Sequence, residues 1–369
     1  MTKLLMITRK IDKSDWLAGH SYEWAKKISE HLRVRGGRLI VICLERGNTD
    51  GLEDTPVYTL GKENGAGRVR RFFRFLALAK KLVPQIDGVF CHQNPEYAIA
   101  IAFFAKFYRK KIVSWYVHKS VTWKTRLMLA VSDKVLTASS ESFRLKSKKV
   151  SVVGHGIDLD KFQIPNSHPS GDHPQGDKFQ IPEPAKIFRI ITIGRISPVK
   201  SLETIIEAVR IVVREQGFSD VQLDIVGQAA VARDRDYLAA LKRQVLVSDL
   251  GSQVHFVPAM PHDRIAEVYG NAEAFVNLSQ TGSVDKAVLE AMACGCMVIT
   301  SNEAFFEMLQ GYSRICLIGR NSRELAERIL WLKKLAPSDR AAIAEKLRAI
   351  VVKYHSLDNL AATIVASFE

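Results

Sequence analysis

The 369-residue chain has five cysteines, Cys43, Cys91, Cys294, Cys296 and Cys316, and they form no CxxC pair and leave an odd count. This pattern argues against a disulfide framework and for free thiols in a reducing cytoplasm. No apolar run approaches the length of a spanning helix, the stretch from Tyr97 to Phe104 being much too short, and no signal peptide precedes the first strand. Neither insertion nor export is expected. The chain also lacks any recognisable RNA- or DNA-binding motif, so specific nucleic-acid binding is not expected. His168 and His173 repeat no ligand spacing, and no metal site is read from the sequence.

Acidic excess is missing from both halves, but the basic excess is confined to one. Residues 1–160 hold 29 Lys and Arg against 15 Asp and Glu, whereas residues 161–369 hold 24 of each. All of the net charge of +14 therefore sits in the first part. An anionic partner or surface is implied for that part.

At 47% hydrophobic residues, the chain is long enough to bury two cores. Apolar runs read as strands at 3–9, 38–45, 88–91, 111–117, 134–137 and 150–153, with helical patterns between them, the first over Ser21 to Leu32. The second part repeats this alternation, with strands expected at 188–194, 221–226, 254–257, 274–278, 297–300 and 315–318. Alternating strands and helices predict parallel sheets in an α/β fold. Between the parts lies a Pro-, Gly- and His-rich passage, residues 164–185, which reads as an exposed linker. It carries a duplication, DKFQIP occurring at 160–165 and again at 177–182.

The most informative stretch is TGSVDKAVLEAMACGCMVIT, residues 281–300. Val284, Val288, Ala291 and Met292 recur at helical spacing, Ser283 is placed as an N-cap, and Gly295 is placed to end the helix before a strand. A helix N-terminus with Lys286 in its first turn suits an anion such as a diphosphate. Glu290 lies four residues after Lys286, and the plain alternative is an ordinary i,i+4 surface pair. A second cationic patch follows the strand ending at Gly194, where GRISPVK supplies Arg195 and Lys200. Cations at the carboxyl edge of a parallel sheet are where a departing diphosphate needs them.

These two segments resemble the signatures of retaining glycosyltransferases of the GT4 family, the run LEAMACG at 289–295 residue for residue. The resemblance implies the GT-B fold: two Rossmann-like domains with parallel sheets facing an interdomain cleft. It divides the chain into an acceptor-binding domain at 1–163, the linker at 164–185, a nucleotide-sugar domain at 186–353 and a terminal helix at 354–369 that braces the first domain. By position, Glu290 inherits the donor ribose hydroxyls, and Arg195 and Lys200 the diphosphate. The resemblance places Gly19 in a loop approaching the donor phosphates, Gly194 and Ser283 beside them, and Pro258 and Met260 in the turn that holds the base. His118 is implied near the transferred sugar. His155, in the segment resembling the family's exit from the first domain, is more readily structural.

One departure matters. The family's first glutamate falls on Gly282, so its contact with the sugar is lost or has moved to Asp285, which equally suits a partner for the helix dipole.

The resemblance thus implies a metal-independent, retaining transfer from a UDP- or GDP-sugar to a lipid-linked or glycan acceptor, without a cofactor. A GT-B epimerase and a catalytically degenerate partner subunit are the alternatives. The run Arg68 to Val83 localises the acceptor side: six cations, no acid, and Val69, Phe72, Phe73, Phe75 and Leu76 opposite Arg70, Arg71, Arg74 and Lys81. It reads either as an interfacial helix lying on the anionic inner face of the cell membrane or as a core helix with a solvated basic face.

Overall fold

The computed structural model of the chain describes residues 2–16, 19–163, 187–262, 264–279 and 282–369. The linker expected at 164–185, with His168, His173 and the second DKFQIP copy, lies outside the described residues.

Near-continuous apolar runs give strands buried on both faces, and these assemble into two wholly parallel sheets. The first contains β1 (Lys3–Ile11), β2 (Arg38–Arg46), β3 (Val57–Thr59), β4 (Gly88–His92), β5 (Lys111–Trp115), β6 (Lys134–Thr137) and β7 (Val150–Val152) in the order β3-β2-β1-β4-β5-β6-β7. The second contains β8 (Phe188–Ile193), β9 (Val221–Val226), β10 (Val254–Val257), β11 (Ala274–Asn277) and β12 (Met297–Thr300) in the order β10-β9-β8-β11-β12. In each sheet the chain winds outward from a central strand, first one way and then the other. The connections therefore diverge after β1 and β4 in the first sheet and after β8 and β11 in the second. Each divergence opens a crevice at the carboxyl ends of the strands.

Helices cover both faces of the first sheet. On one side α1 (Gly19–Val34) buries Tyr22, Trp24, Ala25, Ile28 and Leu32 against β1 and β2. On the other lie α2 (Arg68–Leu82), α3 (Pro95–Phe107) and α4 (Trp123–Val131), which share a core with Leu5, Ile7 and Val89. The second sheet is covered by α5 (Leu202–Arg210), α6 (Ala232–Val247), α7 (Ile265–Gly270), α8 (Lys286–Ala293), α9 (Phe306–Leu309), α10 (Ser313–Cys316), α11 (Ser322–Lys334) and α12 (Pro337–Tyr354). The chain then returns: α13 (Leu357–Ala366) packs on α1 and buries Leu360, Ile364 and Val365 in the core of the first lobe. Two chain passes thus join the lobes, and they pair with each other. Ile157 N–H donates to His355 O at 2.6 Å, and Leu357 N–H donates to Ile157 O at 2.8 Å.

The strand expected at 315–318 does not form. Residues 313–316 are the short helix α10, and only Leu317 bridges to Thr300. The apolar pattern there is that of a buried turn, which four residues cannot distinguish from a strand. The short edge strand β3 was not anticipated. Ser283 is not the N-cap of α8. Asp285 is, with extended backbone and its carboxylate accepting the Ala287 N–H at 3.2 Å. The helix therefore starts two residues later than expected, after the buried Val284.

Candidate active site between the two lobes

The two crevices face each other and their linings merge into adjoining cavities. In the second lobe a cavity of about 370 Å³ lies over the carboxyl ends of β8 and β9, lined by Gly194, Arg195, Lys200, Met260, His262 and Glu290 among others. A second, of about 640 Å³, lies between the lobes and takes in His118, His155, Ser283, Asp285 and Lys286. The two share Lys200, Asp285 and Lys286. A third, of about 360 Å³, fills the switch point of the first sheet between Arg9, Asp15 and His20 on one side and His92, Gln93 and Asn94 on the other.

Glu290 stands on the buried side of α8, and three groups surround its carboxylate. His262 Nε2 lies 3.0 Å from Oε1, Lys286 Nζ 3.3 Å from the same atom, and the Tyr269 hydroxyl donates to Oε2 at 3.3 Å. Burial alone would raise this carboxyl, but Lys286 and His262 outweigh it and hold it at about 2. The i,i+4 pair with Lys286 is therefore present, within a wider network. Lys161 Nζ donates to His262 Nδ1 at 2.7 Å and also meets Glu23 of α1 at 3.2 Å. With Nδ1 accepting, His262 donates from Nε2 to Glu290 and is neutral, in keeping with burial and Lys286 lowering its pKa.

Lys200 and Asp285 form the other centre. The ammonium meets Asp285 Oδ2 at 2.7 Å, and Asn277 Nδ2 donates to the same oxygen at 2.9 Å. Burial pushes the Asp285 carboxyl up, while Lys200 and these hydrogen bonds more than reverse it. Asp285 thus holds Lys200 where the second-lobe and central cavities meet, while its other oxygen accepts from the Ala287 amide. Arg195 is half exposed, with Nε 3.7 Å from Asp234 of α6. Close backbone packing shapes this wall: a Cβ on Gly227 would fall 1.9 Å from Gly194 O.

The other expected residues are placed as follows. His118 lines the central cavity, its Nδ1 accepting from Ser120 N–H at 3.1 Å. Gly282 has φ +62° and lies across the cleft from Lys119. Ser283 lends its carbonyl to Asn302 Nδ2 at 2.7 Å. Pro258 is exposed outside the cavity lining, whereas Met260 lies within it. Gly19 opens α1 and packs on His262, where a Cβ would come within 2.8 Å of the imidazole Cβ. Arg68, Arg71 and Phe72 line a separate apolar cavity, while Arg70, Phe73 and Arg74 are exposed.

Sequence reasoning missed a histidine group in the first lobe. These are His92, which is buried, and His20 and His155, which are half-buried; all three are neutral, and burial, then Lys286, holds His92 at about 3 and His155 at about 4. Among the described residues His92 Nε2 and His155 Nδ1 have no hydrogen-bond partner. Gln93, at φ +71°, is held in the left-handed region between two of the cavities and points Nε2 at His20. Only the fold brings these residues together. Their shared position after strand ends was the available signal.

Two parallel, doubly wound sheets facing a common cleft define the GT-B class. The model of the glycosyl transferases group 1 family matches residues 175–349 of this chain. The chain is similar to a D-inositol 3-phosphate glycosyltransferase of Actinosynnema mirum, 27% identical over 53% of this chain and 46% of that relative. A similar protein of Catenulispora acidiphila is 26% identical over 47% and 39%. The chain thus spans less than half the length of these curated relatives. Among solved structures, Anabaena HepE in complex with UDP and glucose superposes with a TM-score of 0.73 at 18% identity, over 100% of this chain and 99% of that one. A glycosyltransferase from Rickettsia africae gives 0.76 at 16% identity, over 100% and 98%.

Proposed function

We propose that the chain transfers a sugar, with retention of anomeric configuration and without a metal, from a UDP- or GDP-sugar to a lipid-linked or glycan acceptor at the cytoplasmic membrane face. The observation that carries this reading is the convergence of Glu290, Arg195 and Lys200 on one cavity at the switch point of the second sheet. Glu290 is ionised and surrounded by donors, so it is fixed to accept from ribose hydroxyls. The cleft then has room for the sugar beside Lys200 and for the acceptor beyond it. The complexes of HepE with UDP and with UDP-glucose support a nucleotide-sugar in this place.

In the reaction the bond between the anomeric carbon and the diphosphate breaks while the acceptor oxygen attacks the same face. The leaving phosphate oxygen takes the acceptor proton, giving the glycosylated acceptor and the nucleoside diphosphate. Lys200, held by Asp285, and Arg195 stabilise the charge that grows on the diphosphate, a role for which preorganised cations suffice.

Membrane contact is supported by the first lobe. Helix α2 buries Phe75, Ala79 and Leu82 but leaves Phe72 54% and Phe73 63% exposed among its cations. Phe103 and Phe107 of α3 and Trp123 of α4, on the same side of the sheet, are exposed too. Among the described residues no helix is long and apolar enough to cross a membrane. An interfacial lobe fits this pattern.

The test is turnover of UDP- and GDP-sugars with lipid-linked acceptors on liposomes containing anionic lipid, with product analysis in the presence and absence of acceptor. Acceptor-dependent glycosylation with a retained anomer is expected. Epimerised donor without acceptor would replace this reading.

A further inference from the structure

A cavity of about 310 Å³ lies between α2, α3 and strands β1 and β2 of the first sheet, lined by none of Arg195, Lys200 and Glu290. Its walls are hydrocarbon, with Ile7, Ile42, Leu44 and Leu60 from the sheet side, Phe75 of α2 and Ala100 of α3. This is the size at which small-molecule sites begin, and an apolar wall selects an apolar occupant. Two arginines of α2, Arg68 and Arg71, stand in its lining. Arg71 Nε is buried and has no hydrogen-bond partner among the described residues. A buried guanidinium N–H without an acceptor is costly, and a phosphate oxygen is the group that satisfies it best. The cavity also shares Glu96 with the central cleft and Thr8 with the first-lobe cavity. Whatever fills it has its polar end beside the acceptor end of the cleft.

We propose that this cavity holds the first part of the hydrocarbon chain of a phosphate-bearing lipid-linked acceptor, with the phosphate against Arg68 and Arg71 and the glycan directed into the cleft. The proposal rests on the reading of the first lobe as the acceptor side. It differs from surface adsorption in placing the chain inside the fold. The basic excess of residues 1–160 complements such an occupant.

The test is equilibrium binding of dodecyl phosphate, below its micelle concentration, to the full chain, with butyl phosphate and inorganic phosphate as comparisons. Dodecyl phosphate is expected to bind at least tenfold tighter than butyl phosphate. Ala100→Trp, which fills the cavity, and Arg71→Gln, which removes a guanidinium from its lining, are each expected to weaken it at least tenfold with UDP binding retained. Dodecyl phosphate binding that survives both substitutions, or that is abolished only by removing the exposed ring of Phe73, which lies outside the cavity lining, would overturn the proposal in favour of surface adsorption. Equal affinity for the long- and short-chain phosphates would overturn it as well. The donor reading fails separately, through absent UDP binding in a protein that still binds dodecyl phosphate.

Discussion

Lys161 donates to His262 Nδ1 at 2.7 Å, and this bond ties the exit from the first lobe to the cavity over the second sheet. Through the opposite ring nitrogen the same imidazole meets Glu290 at 3.0 Å, and through Lys161 it reaches Glu23 of α1. The carboxylate that resembles the family's ribose ligand is therefore set by residues from both lobes. Its position depends on how the lobes meet, and Gly19, packed on His262, leaves the space for that contact.

Glu290→Gln keeps the shape of the side chain and removes its charge. Lys286 then loses its ionic partner, His262 keeps only a neutral acceptor, and a ribose loses a charged one. UDP affinity is expected to fall about 10- to 100-fold, or about 1.4 to 2.7 kcal/mol, by titration calorimetry. Unchanged affinity in a folded variant would show that the ribose does not meet this carboxylate.

Lys200→Ala removes the cation placed at the junction of the donor and central cavities. Turnover is expected to fall about 100-fold or more, with a smaller change in urea stability. Asp285→Asn acts through Lys200 and is expected to lower turnover by a smaller factor, with donor affinity less affected than kcat. Unchanged turnover in Lys200→Ala would remove its assignment to the diphosphate.

Gly282 stands at φ +62°, in the region that L-residues other than Asn and Asp avoid. Gly282→Ala is expected to cost about 1 to 2 kcal/mol in urea denaturation, and Gly282→Asn less. Equal stability of the two variants would contradict the assigned backbone strain. This geometry also accounts for the departure at the position of the family's first glutamate: a glutamate there would need a different backbone and would meet Lys119.

Three neutral histidines, His92 and His355 buried and His155 half-buried, give the fold a pH dependence of definite sign. Burial, the largest cause for each, holds His92 at about 3 and His155 and His355 at about 4, whereas an unfolded histidine titrates near 6.5. Their stabilisation is complete above about pH 6.5 and is lost as the pH falls toward 4. At pH 5.5 the loss amounts to about 1.4 kcal/mol for each histidine. The urea midpoint is expected to fall between pH 7.5 and 5.5, before Glu290 begins to protonate. A flat midpoint across that interval would contradict it.

The central strands and the segments LEAMACG and GRISPVK were legible because parallel strands and helix-borne motifs are local in sequence. The limits of β6, β9, β10 and β12 agree with the apolar runs to the residue. Residues 315–318 were misread because a short apolar run suits a buried turn as well as a strand, and β3 was too short to register. Asp285 takes the cap from Ser283 because its carboxylate reaches the Ala287 amide. Gln93, His92 and His262 gave no signal beyond their position after strand ends, since their contacts arise where two sheets and two chain passes meet. Phe72 and Phe73 read as part of one apolar face, but the core takes Phe75, Ala79 and Leu82 and leaves the two rings outside.

The most direct test of the account is a thermal-shift panel of UDP-, GDP- and ADP-sugars on the wild-type chain and on Glu290→Gln. The account predicts that a UDP- or GDP-sugar raises the unfolding temperature of the wild type and raises that of the variant less at the same concentration. Stabilisation of neither protein by any nucleotide-sugar would contradict it.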